Sequence, residues 1–183
     1  IRNTLRFMLS NLSDFDPSTS VGKGHGVDVR LLSPKSIDAW ALAQFDRLAG
    51  EVHAAYERFD FRSIHLAIFD FCNEQLSSMY LAAVKDRLYC DRVDSPRRRQ
   101  TQTVLWELTD GLCRLLAPIM CHTADEAYRA LRKIDAKDES VCVHLETFVM
   151  THEKPGFGVA SDPGFSCVMT NVSRDRKSTR LNS

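Results

Sequence analysis

Apolar side chains recur along this chain at spacings of three and four, the period that stacks them on one face of an α-helix. Ile1, Leu5, Met8, Leu12 and Phe15 form the first such face and predict a helix ending near Asp14 to Pro17. The longest signal is the second, where Ile37, Ala41, Phe45, Leu48, Val52, Ala55 and Phe59 hold one side while Asp38, Arg47, Glu51 and Arg58 take the others. That is the pattern of a helix with one buried stripe. Ser33 followed by Pro34 is its predicted N-cap and first position. Asp60 is placed to cap a third helix, with Ile64, Ile68, Phe71, Leu76, Met79 or Tyr80, Ala83 and Leu88 inward. The Asn and Ser side chains of "NEQLSS", Asn73 to Ser78, compete for backbone hydrogen bonds and predict a kink or break, with two helices in series.

Ser95 and Pro96 repeat the Ser-Pro start, and Val104, Leu108, Leu112, Leu115 and Ile119 carry a fourth helix until Pro118 stops it. "TADE", Thr123 to Glu126, has the form of a capping box opening a fifth helix through Ala127, Tyr128, Leu131 and Ile134. "VCVHLETF", Val141 to Phe148, alternates weakly and predicts a short strand or an extended strap. From Val149 to Ser183 there is no period of either kind, and a segment without apolar periodicity cannot offset its chain entropy, so an irregular or disordered tail is expected. The fold class that follows is all-α, an antiparallel helical bundle over residues 1–148 with an irregular tail over 149–183.

Composition adds exclusions. The 24 basic and 24 acidic residues cancel, so any polyanionic partner must be met by a local patch. No apolar run approaches the roughly 20 residues that span a bilayer. The six cysteines contain no CxxC pair and sit mostly inside apolar helical patterns, which suits a reducing, cytoplasmic compartment. "GKGHG", Gly22 to Gly26, has neither a strand before it nor a helix opening directly after it, so it reads as a surface loop rather than a phosphate cradle. The chain starts at Ile1 without methionine, already within a helical pattern, and reads as a piece of a longer protein.

Charge is locally uneven between Lys85 and Arg99, where six basic residues (Lys85, Arg87, Arg92, Arg97, Arg98, Arg99) face three acidic ones (Asp86, Asp91, Asp94). Arginines at a helix start oppose the macrodipole, a small local conflict of the kind a phosphate-binding site leaves behind. The same pattern also suits a solvated face whose arginines pair with Asp91 and Asp94.

The strings "IRNTLRFMLSNLSDFDP" at Ile1, "WALAQFDRL" at Trp40, "AYERFDF" at Ala55, "FCNEQLSSMYLAAVKDRLYCD" at Phe71, "RRRQTQTVL" at Arg97 and "RLLAPIMCHTADEAY" at Arg114 together resemble the anticodon-binding helical domain of isoleucyl-tRNA synthetases, over Ile1 to Phe148. Domains of this build are shared with the valyl, leucyl and methionyl enzymes. "KDRLYCD" followed by "RRR" resembles the isoleucyl branch. A valyl- or leucyl-type domain, or a helical scaffold whose arginines are surface charge, are the alternatives.

The resemblance implies a bacterial-type cytoplasmic, monomeric ligase that charges tRNA(Ile) with isoleucine using ATP and Mg, with this bundle gripping the anticodon arm and no membrane contact. The HIGH-type and KMSKS-type catalytic motifs and the editing domain are absent from this sequence, so no catalytic residue is expected here and no cofactor. Editing exists because one methylene separates isoleucine from valine by only about 1–3 kcal/mol. Zinc is expected only in a module further downstream, since Cys142, His144, His152 and Cys167 lack paired ligand spacing.

The RNA-binding residues carried over are Arg2, Asn3 and Arg6, at the junction with the catalytic core, and Lys85, Arg87, Arg97, Arg98 and Arg99, nearer the anticodon stem. Arg6 bridging to Asp14 and Arg87 bridging to Asp86 are the structural alternatives. Trp40 and Trp106 read as packing anchors, and Asp125 and Glu126 suit capping. Two departures stand out: Glu74 and Gln75 fill a place where the family has an acidic residue before "LS", and Val149 stands where a proline is expected. "DRKSTRLNS", Asp175 to Ser183, resembles translated library adapter, which predicts a break in reading frame or assembly near Phe148.

Overall fold

The computed structural model of the chain describes residues 1–17, 26–29, 32–135, 138 and 141–146. Among these the structure is all-α, with no strand. Helix α1 spans Arg2–Ser10, α2 Ile37–Glu57, α3 Phe61–Asp70, α4 Leu81–Tyr89, α5 Pro96–Leu116 and α6 Cys121–Arg132. A π-helical stretch, Phe71–Tyr80, joins α3 to α4 as one continuous rod. The predicted break at Asn73 to Ser78 is therefore a widening. Its serines do bond to the backbone, but they reach five residues back, Ser77 Oγ to Cys72 O at 2.6 Å and Ser78 Oγ to Asn73 O at 2.8 Å, which supports the π turn.

Helix α5 is the centre of the bundle. Fourteen of its 21 residues are buried, and it packs against α1, α2, α4 and α6. The core draws on the predicted faces, with Met8, Val52, Ile64, Ile68, Leu108 and Leu112 sealed from water, and adds Ala49, Val84, Leu105 and Leu116 beside them. Each large aliphatic side chain so buried contributes about 1.5–3 kcal/mol. Where α2 crosses α5, Gly111 lies against the Phe45 ring, and a β-carbon there would come within 2.6 Å of Phe45 Cε1. Trp40 and Trp106 are partly buried against this core, as packing anchors should be.

Several boundaries and faces differ from the sequence reading. The cap of α2 is Ser36, which accepts from Ala39 N, three residues beyond Ser33. Asp60 caps α3 as expected, accepting from the Ser63 hydroxyl at 2.6 Å and from Ser63 N–H at 3.1 Å, and these bonds hold its carboxyl below the ordinary value. Phe59 is not inward. The backbone there turns left-handed, φ 56°, to swing α2 into α3, and the ring points out, 77% exposed, edge-on to Phe61. In the α3–α4 rod it is Tyr80 and Val84 that are buried, while Met79 and Ala83 face solvent, because the π turn resets the register. Helix α6 begins at Cys121, so "TADE" sits inside it and caps nothing. Val143–Leu145 is one 3₁₀ turn rather than a strand, with Val143 buried. Most of the Gly22 to Gly26 loop and the whole tail from Val149 lie outside the described residues.

Candidate nucleic-acid interface

The basic stretch around the α4–α5 junction divides into two classes of side chain. Consecutive helical residues point about 100° apart, so a run of three arginines cannot share a face. Arg98 and Arg99 turn inward onto Asp14, at 3.2 and 3.3 Å, with side chains only 16% and 10% exposed. Arg98 also donates to Leu88 O, and Arg99 to Gln102 Oε1 at 2.7 Å. Gln102 in turn donates to Asn11 O and Asp14 Oδ1. Burial alone would raise the Asp14 carboxyl, but the Gln102 amide and the two guanidinium groups outweigh it and hold it below the usual carboxylate range.

Arg87 belongs to a second internal cluster. Its Nη1 donates to Asp38 Oδ2 at 2.8 Å and to Thr101 Oγ1 at 3.3 Å. Asp38, predicted to face solvent, is fully buried in the first turn of α2, where it also accepts from Tyr80 Oη at 2.8 Å and Gln100 Nε2 at 2.7 Å. Its place near the α2 N-terminus adds the helix dipole to these donors. Burial, and then the Asp38 charge, push the Tyr80 hydroxyl well above its ordinary pKa, so it stays a donor. Arg87, Arg98 and Arg99 thus tie α2, α4, α5 and the turn after α1 together, and their charges are met by the buried Asp38 and by Asp14, which is itself exposed. Neither alternative partner holds: Arg87 pairs with Asp38 rather than Asp86, and Asp14 is taken by Arg98 and Arg99 rather than Arg6.

Two more arginine clusters brace the far side. Asp110 receives Arg114 and Arg132, and the Arg132 guanidinium lies over the rings of Tyr128 and Trp106 at 4.7 and 5.2 Å. Asp125 receives Arg129 at 2.7 Å and Val143 N–H at 3.2 Å, so it fastens the segment after α6 instead of capping the helix.

The remaining candidates face water. Arg97 is 61% exposed and only loosely paired with Asp91 at 4.0 Å. Arg2, Asn3 and Lys85, the first and last 83 residues apart in sequence, come together along a cleft of about 440 Å³ between α1 and the π–α4 rod. None of its nine lining residues is acidic: Ile1, Phe7 and Leu81 supply apolar wall, and Thr4, Asn73 and Ser77 complete the polar one. Lys85 and Asn3 are exposed and have no side-chain partner among the described residues. Arg2 makes one surface pair, 3.4 Å to Glu126, between groups 66% and 71% exposed, which a stronger anion can displace. Arg6 and Arg2 also border a neighbouring groove of about 330 Å³ between α1 and α6.

Asn73 and Ser77 were not singled out from sequence. Their signal is spacing: Asn73, Ser77, Leu81 and Lys85 lie four apart. In an α-helix of 3.6 residues per turn such a row drifts steadily around the axis. The wider π turn drifts the other way, and the two together keep this row along one cleft. No group of three His, Cys, Asp or Glu among the described residues converges as a metal site, and no helix there is long and apolar enough to cross a membrane.

The family model of the anticodon-binding domain of tRNA ligases matches residues 38–157, continuing past Phe148. The isoleucine–tRNA ligase of Desulfotalea psychrophila is 38% identical over 165 residues, 90% of this chain and 16% of the relative. That of Syntrophotalea carbinolica is 42% identical over 149 residues, 81% of this chain and 15% of the relative. That of Carboxydothermus hydrogenoformans is 46% identical over 130 residues, 70% of this chain and 13% of the relative. The chain therefore spans only about one-sixth or less of the length of these relatives, and their names favour the isoleucyl branch over the valyl, leucyl and scaffold alternatives. An all-α bundle with a carboxylate-free cationic cleft, matched over residues 38–157, belongs to the family of anticodon-binding domains of tRNA ligases.

Proposed function

We propose that this chain is the part of a longer, cytoplasmic isoleucine–tRNA ligase that holds the anticodon arm of tRNA(Ile). The observation that carries the reading is the cleft of α1 and the π–α4 rod, where Arg2 and Lys85 stand with two amides and no carboxylate. Exposed cations on rigid helices fix a nucleic-acid backbone in register, and amides add donors to phosphate or sugar oxygens. Arg6 extends the cationic edge along α1, and Arg97 offers a further contact beyond the cleft. Adenylate chemistry, with ATP and Mg, and rejection of valine belong to other parts of the longer chain, as does any zinc.

Chemical protection tests this directly. A lysine-acylating reagent should modify exposed Lys85 slowly when a tRNA(Ile) transcript is bound and quickly when it is not, while exposed Lys35, ahead of α2, reacts alike in both. Equal reactivity of Lys85 with and without saturating transcript would remove the cleft from the interface.

A further inference from the structure

At the floor of the cleft two hydroxyls meet across 73 residues of chain, Thr4 Oγ1 and Ser77 Oγ, 3.4 Å apart. Ser77 has one proton, and its 2.6 Å bond to Cys72 O uses it, since a carbonyl can only accept. Ser77 Oγ therefore faces Thr4 as an acceptor, and Thr4 is the donor between them. At 3.4 Å that contact is looser than the usual O–H···O bond of about 2.5–3.0 Å. Among the described residues the pair is left with unused acceptor lone pairs and one weakly committed proton. A phosphate oxygen, which can only accept, gains little there. A hydroxyl that both donates and accepts completes the set.

We propose that Thr4 and Ser77 receive a ribose 2′-hydroxyl, so that this cleft distinguishes RNA from DNA while Arg2 and Lys85 take the neighbouring phosphates. The inference rests on the RNA-binding reading of the same cleft. The 2′-hydroxyl is the one group of the nucleic-acid backbone that acts as donor and acceptor together, and it is what separates the two polymers. Asn3 and Asn73 line the same cleft with amides that have no partner among the described residues, and suit the adjoining sugar edge. The π turn has a role in this. It places Ser77 in line with Lys85 and lets its hydroxyl reach the carbonyl five residues back, which orients the acceptor toward Thr4.

The test compares a tRNA(Ile) transcript with an all-deoxy strand of the same sequence, each bound to the 183-residue chain at one salt concentration. Wild type is expected to prefer the ribo form. In T4V and in S77A that preference should shrink about five-fold, the weight of one net hydrogen bond, with deoxy affinity unchanged. Far-UV circular dichroism identifies which variants remain folded, and Thr4→Val keeps shape in a buried position while Ser77→Ala trims an exposed one. A ribo-to-deoxy ratio that persists in the folded variants would overturn the assignment while leaving tRNA binding intact. Failure of wild type to bind either polymer would overturn both readings.

Discussion

Arg87→Met separates a structural arginine from an RNA-binding one. The substitution keeps an unbranched stem of similar reach and removes the guanidinium, deleting the 2.8 Å bond to Asp38 Oδ2 and the 3.3 Å bond to Thr101. Asp38 stays fully buried and keeps Tyr80 and Gln100 as donors, but its charge loses its counter-ion. Breaking a buried pair from one side costs about 3–5 kcal/mol. The three neutral donors that remain, Tyr80, Gln100 and the Thr101 hydroxyl at 3.5 Å, and an Arg87 side chain already 19% exposed, put the expected loss at the lower end, about 3 kcal/mol. For a domain of this size each kcal/mol lowers Tm by about 2–4 °C, so Tm should fall by about 6–12 °C. Urea unfolding followed by circular dichroism gives the loss, and Asp38→Asn combined with Arg87→Met should lose less than the sum of the single changes. An unchanged unfolding midpoint together with a large loss of tRNA binding would refute the reasoning, returning Arg87 to the interface.

Other expectations follow from the same structure. Gly111→Ala forces a methyl against the Phe45 ring. Overpacking of about 1–3 kcal/mol then outweighs the gain of about 1 kcal/mol in helix propensity, giving a net loss readable by urea unfolding. Asp14 and Asp125 have folded-state pKa values below their unfolded ones. The native state therefore binds fewer protons at low pH, and the stability these groups contribute is complete above about pH 4 and lost as pH falls through their lowered values. Thermal unfolding between neutral and acid pH reads this, and in Asp14→Asn that pH dependence should be shallower. Burial pushes the Cys72 and Cys113 thiols up to about 11 and 12, so a thiol reagent at neutral pH should modify exposed Cys90 and Cys121 first and reach Cys72 and Cys113 only on unfolding.

How far the sequence showed this molecule depended on range. The α2 and α5 stripes were legible because Ala41, Phe45, Leu48 and Val52, or Val104, Leu108 and Leu112, repeat within a single helix. Asp38 was not, because a lone carboxylate in a periodic helix reads as solvent-facing, and its burial depends on Tyr80, Arg87 and Gln100, supplied from 42 to 62 residues away. The arginine run misled for a local reason. Arg97 points to water, while Asp14, near in space but 84 and 85 residues away, claims Arg98 and Arg99. "TADE" matched a cap in composition, but the helix had already begun at Cys121. The cleft itself was half legible: Arg2 and Asn3 followed from the family resemblance and Lys85 from the local excess of basic residues, whereas Asn73 and Ser77 needed the π turn that brings them into line.

The most direct measurement of the central claim is the salt dependence of tRNA(Ile) transcript binding to wild type, Arg2→Ala, Lys85→Ala and Arg98→Ala. Each phosphate contact removed should flatten the log K against log salt slope by about 0.7–0.9. Arg2→Ala and Lys85→Ala should each show that reduction with their fold intact, while folded Arg98→Ala keeps the wild-type slope. A wild-type slope in Lys85→Ala, or a flattened one in folded Arg98→Ala, would contradict the placement of RNA in the cleft between α1 and α4.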